Sequence, residues 1–293
     1  MATPRKLPNE DGTGLFHVIS RVVDRSMILH EGEKKRFYRM MRKLEAFSGV
    51  RVITFCIMTN HFHLLIEVPE KRDVLPKTED ELLSRIRALY GKIYTDQVAA
   101  ELQNCRDHDM PERAEQIRQS YLNRMGRMDY FMKALKQRFT SYYNAKNKRT
   151  GTLWEDRYKS VIVEDSLKSL ITMAAYIDLN PVRAGIVDDP KDYLWSGYGE
   201  AVAGGAAARR GLGLILKYAE RTRQGVTPNW TTVSREYRKL LYLAGEEKQD
   251  EEGKVVRKGI KKEAVRAEEK RDHKLSIAEV LRCRIRYFTD GVA

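Results

Sequence analysis

Two histidines one residue apart, His61 and His63, sit in the apolar stretch TFCIMTNHFHLLIEV at 54–68. A β-strand rises ~3.3 Å per residue and alternates its side chains between faces. In a strand both imidazoles therefore face the same way, about 6.6 Å apart along the backbone by that rise. Phe62, Leu64, Ile66 and Val68 face the other way and read as core. Neutral ring nitrogens are good ligands for divalent metals, so the pair can hold one cation and leave other coordination positions open. Short motifs have many false positives, and an isolated pair of this kind more often marks a half-buried strand.

A second chemical element lies in SLKSLITMAAYIDLN, 166–180. At ~100° per residue, Leu167, Leu170, Ile171, Ala174 and Ala175 form one apolar stripe. Tyr176 falls opposite that stripe, and Asn180, four residues on, shares its face. Pro181 stops the helix and biases Asn180 out of helical dihedrals, so Asn180 is expected to act from the C-terminal edge. A tyrosine so placed is either an exposed aromatic or a nucleophile. A phenol with its ordinary pKa of ~10 attacks phosphorus only with help from a base, a metal or nearby cations. A metal on His61 and His63 can polarise a scissile phosphate for in-line attack. The Asn180 amide oxygen is a third, hard ligand, which points to Mg2+ or Mn2+. A structural zinc centre would need four closed ligands, and no such Cys/His set is present.

The elements that must position these groups follow from periodicity. Strands are expected at 15–23, 50–58, 61–68 and 160–163, and amphipathic helices at 32–48, 128–146 and 166–180. Only Thr59 and Asn60 separate the second and third strands, so these should pair as an antiparallel hairpin. The order strand–helix–strand–strand–helix–strand fits an α+β, ferredoxin-like fold with a four-stranded antiparallel sheet. His17 lies in the first strand and can approach the same site, although a lone strand histidine is more often structural. A charged helical insertion occupies about 75–127, with Ile86, Leu89, Tyr90 and Ile93 as its apolar stripe. Asp165 or Ser166 can cap the 166–180 helix. Trp195 and Tyr198 should anchor the segment that follows it. Residues 201–211, AVAGGAAARRG, read as a linker between a domain of 1–200 and a mainly helical C-terminal extension of 201–293. Within the extension, 246–274 is a dense charge run that reads as a solvated or partly disordered segment, and 275–288 recovers amphipathic character.

Composition narrows the function class. The net charge is +13, of which +8 comes from residues 201–293, with 21 Lys and Arg against 13 Asp and Glu. That balance suits a polyanionic partner. The three cysteines, Cys56, Cys105 and Cys283, form no disulfide framework, which suits a reducing cytoplasm. No secretory signal is expected, and no apolar run approaches the ~18 residues of a membrane span. Residues 130–159 interleave Lys133, Lys136, Arg138, Lys146, Lys148, Arg149, Arg157 and Lys159 with Tyr130, Phe131, Phe139, Tyr142, Tyr143, Trp154 and Tyr158. Cations of this kind track phosphates, and aromatics stack unpaired bases. Arg183 joins the candidate DNA contacts.

Together, NHFH at 60–63, TGTLWEDRYKS at 150–160 and YIDLNPVRAG at 176–185 resemble the REP-associated tyrosine transposases, relatives of the single-tyrosine HUH transposases. HVISR at 17–21 resembles the family's first strand, and the likeness spans about residues 13–200. It implies nicking of single-stranded DNA beside a hairpin, with a tyrosine joined to the 5′-phosphate, a free 3′-OH and no ATP. By motif match Tyr176 is the nucleophile and His61 and His63 are metal ligands, with Asn180 standing where insertion-sequence relatives carry Gln. Those relatives are dimers, whereas compact REP-associated members act as monomers, so the resemblance leaves the oligomeric state open. Two other readings remain at this level. One is a non-catalytic nucleic-acid-binding module, and the other is a metal-dependent phosphodiesterase that uses water.

Overall fold

The computed structural model describes residues 13–163, 167–220 and 229–270. It begins with β1 (Gly14–Arg21), α1 (Glu31–Ser48), β2 (Arg51–Ile57) and β3 (His61–Val68). Four helices follow: α2 (Lys71–Val74), α3 (Glu79–Tyr90), α4 (Lys92–Asp107) and α5 (Pro111–Leu122). Then come α6 (Met128–Lys146), β4 (Lys159–Ile162), α7 (Leu167–Asp178), α8 (Asn180–Arg183), α9 (Gly197–Ala203), α10 (Ala206–Glu220) and α11 (Trp230–Gly245). A small hairpin of β5 (Lys248–Gln249) and β6 (Val255–Arg257) precedes α12 (Lys262–Lys270). The chain divides into two compact units, one of Met1–Gly14, Arg36–Arg51 and Glu67–Gly151, the other of Leu15–Lys35, Val52–Ile66 and Thr152–Ala293.

The fold is α+β around a four-stranded antiparallel sheet of order β2-β3-β1-β4, the order expected of a ferredoxin-like arrangement. The β2–β3 hairpin closes with Met58 N–H donating to the His61 carbonyl at 2.8 Å. The segment after β1 braces the hairpin tip: Val22 N–H donates to the Asn60 carbonyl and Leu29 N–H to the Thr59 carbonyl, each at 2.8 Å. Trp154 lies edge-on to Phe62, with ring centroids 5.5 Å apart, and its backbone bridges Val22. Burial of a side chain such as Phe62 is worth ~1.5–3 kcal/mol, so this contact holds β3 in register. β4 pairs with β1, with His17 opposite Val161.

β3 departs from the expected two-faced pattern. His63, Leu65 and Glu67 are buried along with Phe62, Leu64 and Ile66. The histidine face is roofed by α7, against which α10 and α11 pack in turn. Residues 201–211 are a second correction: they form the end of α9 and the start of α10, not a linker. Their small side chains serve close packing. A Cβ on Gly211 would lie 2.4 Å from the Ile53 carbonyl oxygen, so only glycine lets α10 approach β2. Trp195 and Tyr198 are buried as expected. The charge run 246–274, described through residue 270, is exposed at most positions as a solvated segment should be, but it is ordered into β5, β6 and α12, and Glu268 of α12 is buried against Arg238 of α11, with Oε1 2.6 Å from Nε. The expected capping residues Asp165 and Ser166 and the amphipathic stretch 275–288 lie outside the described residues.

In the other unit, α1 and α6 share an aromatic core, with Phe37 and Phe139 at 5.3 Å and Phe47 and Tyr130 at 6.2 Å. The insertion forms α3, α4 and α5, clamped by Arg106 and Arg118 on Glu79 at 2.9 Å each. Ile93 does not join the stripe of Ile86 and Leu89; it is 79% exposed. Gly91 takes φ +87 and ends α3, so the helical phase that would have aligned Ile93 is lost. Cys56 and Cys105 are buried free thiols. Among the described residues no helix is long and apolar enough to cross a membrane.

Candidate active site

Two strands and one helix converge on a cluster of rings. His63 on β3 and His17 on β1 stack almost parallel, at 7° with centroids 5.2 Å apart. His17 Nε2 and His63 Nδ1 are 2.9 Å apart and share one hydrogen bond. His61 stands nearly perpendicular to His63 at 5.1 Å, and its Nδ1 is 2.7 Å from Asn60 Oδ1. Tyr176 of α7 sits edge-on above the pair, 5.7 Å from the His63 ring and 6.0 Å from His17. The Tyr176 ring is 40% exposed, and no hydrogen bond of its hydroxyl is found among the described residues. The Arg183 guanidinium lies over the Tyr176 ring, 5.3 Å from its centroid.

The electrostatics keep the imidazoles neutral. Burial, then the charge of Arg21, pushes His61 down to about 4. Burial, then His61, His17 and Arg21, pushes His63 down to about 3. Burial lowers His17 as well. Neutral imidazoles keep a lone pair for a cation. With both Nδ1 atoms engaged, the free donors are Nε2 of His61 and Nε2 of His63. No group of three or more His, Cys, Asp or Glu is arranged around a metal position among the described residues. The two free Nε2 atoms could serve as two ligands of one divalent cation, with oxygen ligands supplying the rest.

Asn180 takes a different posture from the expected one. Its amide nitrogen donates to the carbonyls of Tyr176, at 2.9 Å, and Ile177, at 3.4 Å, and so closes the end of α7. Pro181 does not stop the chain from turning helically again: Asn180 opens the short α8, where proline in the first turn costs no hydrogen bond.

Asp178, which the sequence reading did not single out, holds this helix end. Its carboxylate is buried and accepts from Tyr237 Oη at 2.6 Å, Thr54 Oγ1 at 2.9 Å and Tyr198 N–H at 3.1 Å. Burial raises its pKa to about 6, against the pull of those donors, Tyr237 first. The available signal was a carboxylate inside an apolar helix. His17 and Arg21 were also legible, since His17, Ile19 and Arg21 share one face of β1 by period two.

The candidate DNA contacts are divided between the units. Lys133, Lys136, Arg138, Lys148 and Arg149 belong to the unit containing α6, where Arg138 covers the Tyr90 ring at 5.1 Å. Arg157, Lys159 and Arg183 belong to the unit that holds the ring cluster, with Arg157 and Lys159 exposed. Of the interleaved aromatics, Phe131, Phe139, Trp154 and Tyr158 are buried, whereas Tyr130, Tyr142 and Tyr143 are half-buried.

Residues 13–77, from β1 through β3, match the profile of a family described as "Transposase IS200 like". The matched segment contains HVISR at 17–21 and NHFH at 60–63. A solved structure described as "Structure of the REP associates tyrosine transposase bound to a REP hairpin" is 17% identical, with coverage of 70% of this chain and 87% of that one and a TM-score of 0.39. No curated protein matches the chain.

Proposed function

We propose that this chain is an IS200-like transposase that nicks and rejoins single-stranded DNA through Tyr176. The observation that carries the reading is the approach of the Tyr176 ring to within 5.7 Å of His63, from a helix to the sheet of the same chain. Within this chain the ring cluster draws its histidines from the sheet and its tyrosine from α7. Tyr176 Oη attacks the phosphorus, a bond forms to the 5′-phosphate, and the bond to the 3′-oxygen breaks. The proton lost by the phenol is balanced by one gained at the leaving 3′-oxygen. One ester replaces another, so no ATP is required, and attack by a different 3′-OH completes strand transfer.

His61 and His63 would hold a divalent cation, Mn2+ or Mg2+, with Asn180 as a further oxygen ligand if its amide oxygen turns inward. Such a cation supplies Lewis-acid stabilisation of phosphate charge. The chain's own residues do the rest. Asn60 and His17 orient the imidazoles, Arg183 supplies positive charge beside the phenol, and Asp178 holds α7 over the sheet. Arg157 and Lys159 on the unit of the ring cluster, and separately Lys133, Lys136, Arg138, Lys148 and Arg149 on the other unit, are the candidate contacts for the DNA backbone. A hairpin substrate follows from the motif resemblance.

The test is incubation with a single-stranded hairpin oligonucleotide and Mn2+ or Mg2+, followed by denaturing electrophoresis for a covalent adduct. Wild type should form the adduct and Tyr176→Phe none. Adduct from Tyr176→Phe, or cleavage by wild type without an adduct, would overturn the reading, the latter in favour of a water nucleophile.

A further inference from the structure

The extension beyond residue 200 reaches the end of the helix that carries Tyr176. Gly245, at the end of α11, packs so closely that a Cβ there would lie 2.8 Å from Leu179 Cδ2 and 3.0 Å from Ile260 Cδ1. Leu179 is the residue between α7 and α8. Ile260 N–H donates to the Gly245 carbonyl at 2.7 Å, and Glu247 N–H donates to the Ile260 carbonyl at 2.9 Å. The base of the β5–β6 hairpin is thereby fastened to the end of the helix that carries Tyr176.

This attachment delivers two cations. Lys258 Nζ lies 3.4 Å from the position a Cβ would take on Gly185, two residues beyond Arg183. Arg257 is close enough to Arg183 for its charge to lower the Arg183 pKa, after the larger effect of burial. Arg257 spends one nitrogen on long contacts to the carbonyls of Ala244, at 3.5 Å, and Glu246, at 3.4 Å. Its Nε is buried without a hydrogen-bond acceptor. Among the described residues no carboxylate pairs with Arg183, Arg257 or Lys258. Elsewhere in this unit, buried guanidinium is matched: Arg238 meets both Asp189 and Glu268. Gathering like charges without a counter-ion costs free energy that a bound anion returns.

We propose that Arg257 and Lys258 join Arg183 in a phosphate clamp beside Tyr176, for the backbone of single-stranded DNA entering the site. This rests on the transposase reading for its substrate. It gives the extension a role in holding the strand, with the hairpin as a fixed arm of the site.

The test uses the full chain and a fluorescent single-stranded oligonucleotide, titrated by anisotropy over a range of salt. Each lost phosphate contact removes roughly 0.7 from the slope of log affinity against log salt for single strands. The double variant Arg257→Ala/Lys258→Ala should lower the slope by about 1.4 and weaken binding roughly ten-fold near 0.15 M salt. Arg257→Lys/Lys258→Arg should restore most of both. Lys254→Ala, on the exposed turn of the same hairpin, should leave both at wild-type values. Wild-type affinity and slope in the double variant, an equal loss from Lys254→Ala, or no binding of the oligonucleotide by wild type would each overturn the clamp. The adduct assay separates the two claims. A wild type that binds with the expected slope change but forms no adduct defeats the transposase reading and leaves the clamp standing.

Discussion

Tyr176 and Asp178 are two residues apart on one helix and live in opposite conditions. About 200° of helical rotation separates them. Tyr176 is 40% exposed, and its hydroxyl has no hydrogen bond among the described residues. Asp178 is buried and accepts from Thr54, Tyr198 and Tyr237, which tie α7 to β2, α9 and α11. The contrast extends outward. Arg183, beside the tyrosine, has no carboxylate, whereas Arg238, deeper in the same unit, is saturated by Asp189, Glu268 and two tyrosines. On the proposed function, the groups that act on the substrate keep their valences open, and the groups that hold the helix have theirs filled. Position and reactivity are thus assigned to different faces of a single element.

That division can be broken by substitution. The largest effect is expected on the open side. His61→Ala should slow adduct formation by roughly three orders of magnitude, about 4 kcal/mol, the scale of losing a group that stabilises transition-state charge. Its urea midpoint should stay near wild type; a collapse of stability would place His61 with the holding groups. On the filled side, Asp178→Ala leaves buried donors unpaired and should cost about 3 kcal/mol of stability, read by urea denaturation. A variant as stable as wild type would dissolve the comparison.

The smallest effect concerns acid. Burial works to raise the Asp189 pKa, but Arg238 and then Lys191 outweigh it and hold the carboxyl at about 2. The folded value lies below the ordinary ~3.9, so this stability is present above that pH and is lost as pH falls towards 2. The total is on the order of 2 kcal/mol. Asp189→Asn should flatten that limb of the stability curve, measured by urea midpoints at several pH values. An unchanged limb would mean that Arg238 is held by Glu268 alone.

Local pattern carried much of the fold. The third strand, His61–Val68, and the helix Met128–Lys146 match their expected limits because alternation and helical period act within a few residues. The 201–211 segment did not, because small residues signal either a flexible joint or a close approach, and only the neighbouring β2 backbone decides which. Ile93 failed for a related reason: one glycine at φ +87 resets the phase of everything after it.

By itself, then, the sequence determined that His61 and His63 share a face and that Tyr176 stands apart from the apolar stripe of its helix. Both are consequences of backbone geometry, which spacing alone controls. The tertiary structure decided the rest. Strand order set β1 beside β3 and turned His17 from a lone strand histidine into a ring stacked on His63. Helix packing buried Asp178 and made it an anchor. The attachment of Gly245 and Ile260 at Leu179 brought Lys258 close to Gly185 and Arg257 close to Arg183. Such juxtapositions depend on which surfaces bury each other, and no local period encodes that choice.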